Sequence, residues 1–287
     1  RSAEGWGRRI VNMLREHSLR LNNLDLFYAA IYNSVGWLLF TPVFLVLWLA
    51  VALAGIAALV MLFMRGAAQG YEVLALNGSV PLGLAALWSV LFLSFVLHES
   101  AHALAVKHYK RRVLGGGVML YYGMPAAFID TNDMWRSPRQ ARMHVSAAGP
   151  MSDLFVGGTA ALLALFTLDQ TAGTVWTSIG AIAFKLAVLC LSAVLFNANP
   201  LLKLDGYHIL SDWLRQTNLR EDALSFVRES LVPKLRQRQP FTPEERTLAI
   251  FGVLTILYTG FAIAAAFLFW RDQMQYTIGG LLQGLWW

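Results

Sequence analysis

The chain has 287 residues, of which 57% are hydrophobic and only 14% charged, with a mean hydropathy of +0.52. A soluble domain carries about 25% charged residues, so this composition selects an integral membrane protein over a soluble globular one. A single cysteine, Cys190, excludes an intrachain disulfide framework and a cysteine-built zinc site; the formal charge of +6 gathers at the ends of apolar segments, which argues for membrane orientation and against nucleic acid as a partner.

Residues 1 to 34 form a basic, amphipathic N-terminal segment without the short apolar core and small-residue cleavage site of a signal peptide. Residues 35 to 81 hold a first span, near 35 to 64, and an external loop; Pro42 and Gly55 make a tilt or kink in this overlong stretch a better reading than two crossings. A second span runs near 82 to 106 and carries His98-Glu99-Ser100-Ala101-His102 at its end. From Val113 to Asp130 the chain is glycine-rich and apolar without helical periodicity, which fits either a re-entrant stretch satisfied by protein or a short surface hairpin. Third and fourth spans follow near 148 to 168 and 175 to 196, closing an 82 to 214 core. Residues 215 to 246 read as a mixed-charge cytoplasmic helical segment, and 247 to 287 as a last span, near 247 to 270, with an apolar tail that is either interfacial or the start of a sixth helix. The expected class is therefore an all-α integral membrane protein with five transmembrane helices, six if the tail is one.

The distribution of Lys and Arg orients these spans. Five lie in residues 1 to 34, seven in 107 to 147 and eight in 197 to 246, whereas the opposite face holds only Arg65 and Arg271. The positive-inside rule then makes the N-terminus and both large basic segments cytoplasmic. Lys185 lies within the fourth span, where a structural ion pair, with Asp153 as a candidate, is expected.

HExxH on a helix sets two imidazoles four residues apart on one face, where both reach one metal ion while the adjacent Glu reaches a water beside it. Burying His98, Glu99 and His102 in an apolar span, about 13 Å in from Lys107, is costly unless they have a task. A catalytic zinc needs a third protein ligand and an open position. Asn197-Ala198-Asn199-Pro200-Leu201-Leu202-Lys203-Leu204-Asp205-Gly206-Tyr207-His208 directly follows the fourth span, and its Pro and Gly break the helix there. Asp205 is the expected third ligand, with His208 one turn further as the alternative. With Zn2+ in place, Glu99 acts as the general base on a water whose pKa falls from 15.7 to about 7. Asn197, or Asn199, can donate a hydrogen bond to the substrate backbone or oxyanion, or either can satisfy the backbone at the helix break.

HESAH followed by NANPLLKLDGY resembles the paired HExxH and NxxPxxxLDG signature of the site-2 protease family of intramembrane zinc metalloproteases. Within that family, WRSPRQARMHVSAAGP and NANPLLKLDGYHILSDWL resemble the bacterial peptide zinc metalloprotease branch, and the similarity covers about Leu82 to Leu219. The resemblance implies a three-span catalytic core in which His98, His102 and Asp205 bind one Zn2+ and Glu99 is the base. It places the chain in a bacterial inner membrane, with lipid and a peptide or transmembrane protein substrate as partners. That branch commonly has Tyr where His208 stands here, and no loop between the two motifs is long enough for the PDZ domain of some relatives. Three functions are then in play: an intramembrane protease, a peptide maturation or export accessory working with a transporter or adaptor, and a metal transporter. The last predicts inverted repeats and several intramembrane carboxylates, which the sequence lacks.

Overall fold

The computed structural model describes residues 18–65, 76–121, 124–168 and 173–284. Residues 1–17, half of the N-terminal amphipathic segment, and 66–75, most of the external loop after the first span, lie outside them. Among the described residues, five helices are long and apolar enough to cross a membrane. The chain divides into two compact units, residues 1–213 and 214–287.

In the first unit, helix α1 (Leu24–Ser34) and a 3-10 turn (Gly36–Phe40) precede helix α2 (Pro42–Met64). The overlong first span is thus corrected. Pro42 begins the helix, with Thr41 Oγ1 accepting the Phe44 N–H at 3.2 Å, so the proline is a start signal and not a kink. Gly55 is not a bend either. A Cβ there would lie 2.1 Å from Gly158 Cα, so the two glycines let α2 cross the fourth helix at backbone contact.

Helix α3 (Val80–His108) is capped by Ser79 and carries the HExxH motif. Helix α4 (Arg139–Leu168) begins nine residues before the expected start of the third span, because its first turns are polar and give no hydropathy signal. Pro150 therefore falls inside a helix. Helix α5 (Gly173–Asn197) packs on α4, where Gly157 sits so close to Cys190 that a Cβ would approach its Cβ to 2.9 Å. Small residues fill this seam: Ala58, Ala160, Ala161 and Ala187 form one buried cluster. After the Asn197–Leu204 turn, helix α6 (Asp205–Leu214) ends the unit.

The helical class has one addition, a three-stranded antiparallel sheet of β1 (Ser18–Arg20), β2 (Gly115–Tyr121) and β3 (Met124–Asp130) in that order. The 113 to 130 segment is a hairpin, and it also reaches the motif helix. Gly117 explains part of its composition: a Cβ there would meet the Leu19 carbonyl oxygen at 1.9 Å, so only glycine lets β1 pair with β2.

In the second unit, α7 (Leu219–Phe226), a π turn (Val227–Leu231) and α8 (Val232–Arg236) lead to α9 (Pro243–Gly284). Thr242 and Glu245 form a capping box: Glu245 N–H donates to Thr242 Oγ1 at 3.2 Å, and Thr242 N–H to Glu245 Oε2 at 3.0 Å, with Pro243 at the first helical position. Leu219 and Ala223 are buried, the latter over Gly252 of α9. The apolar tail from Tyr276 is not a separate element, because α9 continues unbroken to Gly284.

Candidate metal centre

His98 and His102 are buried on the same face of α3, and each spends its one neutral-ring N–H on a distinct acceptor. Nδ1 of His98 donates to Asp153 Oδ2 at 2.8 Å, and Nδ1 of His102 donates to the Val145 carbonyl at 2.7 Å. Both acceptors belong to α4. These bonds fix the tautomer, so each Nε2 presents a bare lone pair.

The two lone pairs point at each other. Nε2 of His98 and Nε2 of His102 are 3.2 Å apart, and Asp205 brings Oδ2 within 3.2 Å of the first and Oδ1 within 3.5 Å of the second. With both rings in the neutral form that carries its proton on Nδ1, three acceptor groups crowd one point, an arrangement that a proton or a metal cation satisfies. Two imidazoles and a carboxylate, with no thiolate, suit a first-row divalent metal by donor type, zinc and iron among them. His98, Glu99 and His102 form a group whose ligand-type atoms lie within 4.8 Å of one another and which could hold a metal ion. Asp205 opens α6, where the positive end of the helix dipole favours its carboxylate.

Gly149 makes the convergence sterically possible. A Cβ at this position of α4 would sit 2.5 Å from Nε2 of both histidines. Gly206 does the same for the third group: its missing Cβ would lie 2.5 Å from the Ala198 carbonyl oxygen and 2.8 Å from that of Asn197, so the turn folds tightly under Asp205.

Glu99 lies beside the imidazoles. Its Oε2 accepts the Ile129 N–H of β3 at 2.9 Å. It opens with His102, Asp205, Asn132, Arg142 and His208 onto a polar cavity of about 300 Å³. His208 is exposed on this cavity, while Asp205 is the group beside the imidazoles. Asn197 ends α5, half-buried, and the side-chain amide on the cavity is that of Asn132. Asn199 Oδ1 accepts the Leu201 N–H at 2.9 Å and so holds the helix break.

Behind the motif, α1 braces α3. Tyr28 bonds Ser100 at 2.9 Å, Tyr32 bonds His108 Nδ1 at 2.9 Å, and Phe40 stacks on the His108 ring at 4.3 Å. Asp25 accepts Lys107 Nζ at 2.6 Å and the Val113 N–H at 2.8 Å. Burial pushes the Asp25 carboxyl up, but these two donors outweigh it and hold it below the usual carboxylate range.

Sequence reasoning missed the supporting face of α4. Arg142, Val145, Gly149 and Asp153 recur at helical spacing and all reach toward the centre or its supports. Asp153, the candidate partner of Lys185, also bonds His98. The signal available was its spacing from Gly149, four residues on along one face.

Compared with models of protein families, with curated proteins and with solved structures, the chain matches none.

Proposed function

We propose that this chain is an intramembrane zinc metalloprotease, in which His98, His102 and Asp205 hold one zinc ion and Glu99 is the general base. The observation that carries this reading is the meeting of His98, His102 and Asp205 at one point beside a carboxylate that lines an open polar cavity. A zinc ion held there supplies Lewis acidity to a peptide carbonyl and lowers the pKa of a water towards 7. Glu99 takes the proton of the attacking water and passes it to the departing amine. The side-chain amide of Asn132 on the cavity, and that of Asn197 at the end of α5, are the neutral donors available to the substrate backbone or oxyanion.

The cavity limits what can be cut. An α-helix with its side chains is about 10–12 Å across. A space of about 300 Å³ holds a residue or two of extended chain, not a helix. The substrate is then a short peptide, or a membrane segment unwound at the cleaved bond, which accommodates a role in maturing a small exported peptide with a transporter partner. Twenty of the basic residues fall in segments that the positive-inside rule assigns to the cytoplasm, and the centre lies nearest that face.

The test is metal content and peptide cleavage in detergent for the wild type, Glu99→Gln and His98→Ala/His102→Ala. Glu99→Gln keeps one zinc per chain and loses cleavage, and the double variant loses the metal. Equal cleavage by wild type and Glu99→Gln would refute the enzyme, and metal retained by the double variant would refute the site.

A further inference from the structure

Helix α6 carries Asp205, yet little holds it in place. An apolar cavity of about 390 Å³ lies between α6 and helices α2, α4 and α5, lined among others by Trp48, Leu154, Val194, Ile209, Leu210 and Trp213. No described helix or strand runs closely alongside α6. Tyr207 and Ser211 are its buried positions. A helix above a cavity has weak apolar restraint on its rotation and its sliding, because the atoms that would resist are missing on one side.

Polar contacts from α4 add restraint. At the end of α6 away from Asp205, Arg142 of α4 grips Asp212: its Nε donates to Oδ1 at 2.9 Å and a second guanidinium nitrogen donates to the same oxygen. Arg139 Nη1 donates to the Trp213 carbonyl at 3.1 Å. Asp205 and Asp212 are seven residues apart, two turns on one face, about 10 Å along the axis. Arg142 and Gly149 are likewise seven apart on α4. Long side chains therefore bridge the two helices at matching spacing, directly at the ion pair and through the imidazoles of α3 at the other end.

Arg142 also reaches a third element. Its guanidinium lies 5.5 Å from the ring centroid of Trp135, in the 3-10 turn (Asn132–Arg136) that follows β3, whose Ile129 N–H holds Glu99. One side chain thus links the strand that orients the base, the helix that orients both histidines and the helix that supplies the carboxylate.

We infer that Arg142 is a positioning residue for the metal centre, acting through Asp212 to set the rotation and height of α6 and so the place of Asp205. The inference rests on the reading of His98, His102 and Asp205 as metal ligands, and its test does not need a substrate. Zinc affinity is measured by competition with a chelating dye in detergent, with folding checked by circular dichroism and gel filtration. Arg142→Gln and Asp212→Asn each weaken zinc binding by about 10- to 100-fold, the range for lost support of a metal ligand. The exchange Arg142→Asp with Asp212→Arg restores it to within about threefold. Asp25→Asn, which breaks a different ion pair on the motif helix, lowers the melting temperature without weakening zinc binding.

A folded Arg142→Gln protein with wild-type affinity overturns the inference. Should that variant not fold, the exchange decides: folded protein that binds zinc as weakly as Asp212→Asn overturns it equally. Zinc retained by His98→Ala/His102→Ala is a different failure, that of the metal-centre reading itself.

Discussion

Gly149→Ala adds one methyl group where the two ligand nitrogens meet. The new Cβ would stand 2.5 Å from Nε2 of His98, from Cε1 of the same ring and from Nε2 of His102. Ordinary contact between such atoms is about 3.5 Å, so the rings or α4 must retreat by about 1 Å. The rings cannot retreat freely, since Asp153 and the Val145 carbonyl of the same helix hold them at 2.8 and 2.7 Å. Metal–ligand distances tolerate about 0.2 Å, a fifth of the required shift. Overpacking of this kind costs about 1–3 kcal/mol, and a 100-fold loss of zinc affinity corresponds to about 2.7 kcal/mol. We expect a folded protein with a lowered melting temperature whose zinc affinity falls at least 100-fold. Chelator competition measures the affinity, elemental analysis the occupancy, and a melt of both proteins without zinc isolates the packing cost. Wild-type zinc affinity in Gly149→Ala would refute the account of this glycine and with it the described convergence of the rings.

Other expectations follow from neighbouring contacts. Asp153→Ala frees the His98 ring and removes the acceptor of its Nδ1 proton, so zinc affinity drops about 10- to 100-fold; an unchanged value in the same competition assay argues against Asp153 as the orienting group. Ile129→Pro removes the N–H that holds Glu99, and kcat for a cleaved peptide falls while zinc content stays at the wild-type level. Because the Asp25 carboxyl is held below its ordinary pKa, its pair with Lys107 stabilises the fold fully above the ordinary carboxylate range. That contribution is lost as pH falls below about 4, through the lowered value. Asp25→Asn should accordingly flatten the acid limb of a stability-against-pH profile measured by thermal melting. Gly55→Val should separate α2 from α4 at their crossing and destabilise the first unit, read as a lower melting temperature.

Much of this arrangement was legible in the residues. Five apolar runs of sufficient length and the HExxH spacing are one-dimensional signals, and the structure holds five such helices with the motif near the end of the second. Asp205 was readable because Pro200 and Gly206 force a turn that can aim a side chain backwards. The start of α4 was not, because Arg139 and Arg142 are spent on contacts to α6 and His144 on Tyr109, and a hydropathy window sees only their polarity. Gly55 illustrates a second limit: a glycine in a span reads equally as a hinge or as a contact point, and only the partner Gly158, about a hundred residues away, decides. The contact of Asp153 with His98 was not legible, because nothing in the linear sequence places the inner face of α4 against the motif helix.

The division of labour between α3, α4 and α6 also sets a sequence in time. His98 and His102 are synthesised about a hundred residues before Asp205, which at 5–20 residues per second is about 5–20 s. During that interval the pair of imidazoles lacks first the helix that fixes their tautomers and then the carboxylate that completes the set. On the proposed reading of the centre, full-strength metal binding would therefore report that α6 has arrived and α4 has docked. Until α4 and α6 have packed on α3, the nascent chain carries only part of the candidate metal centre.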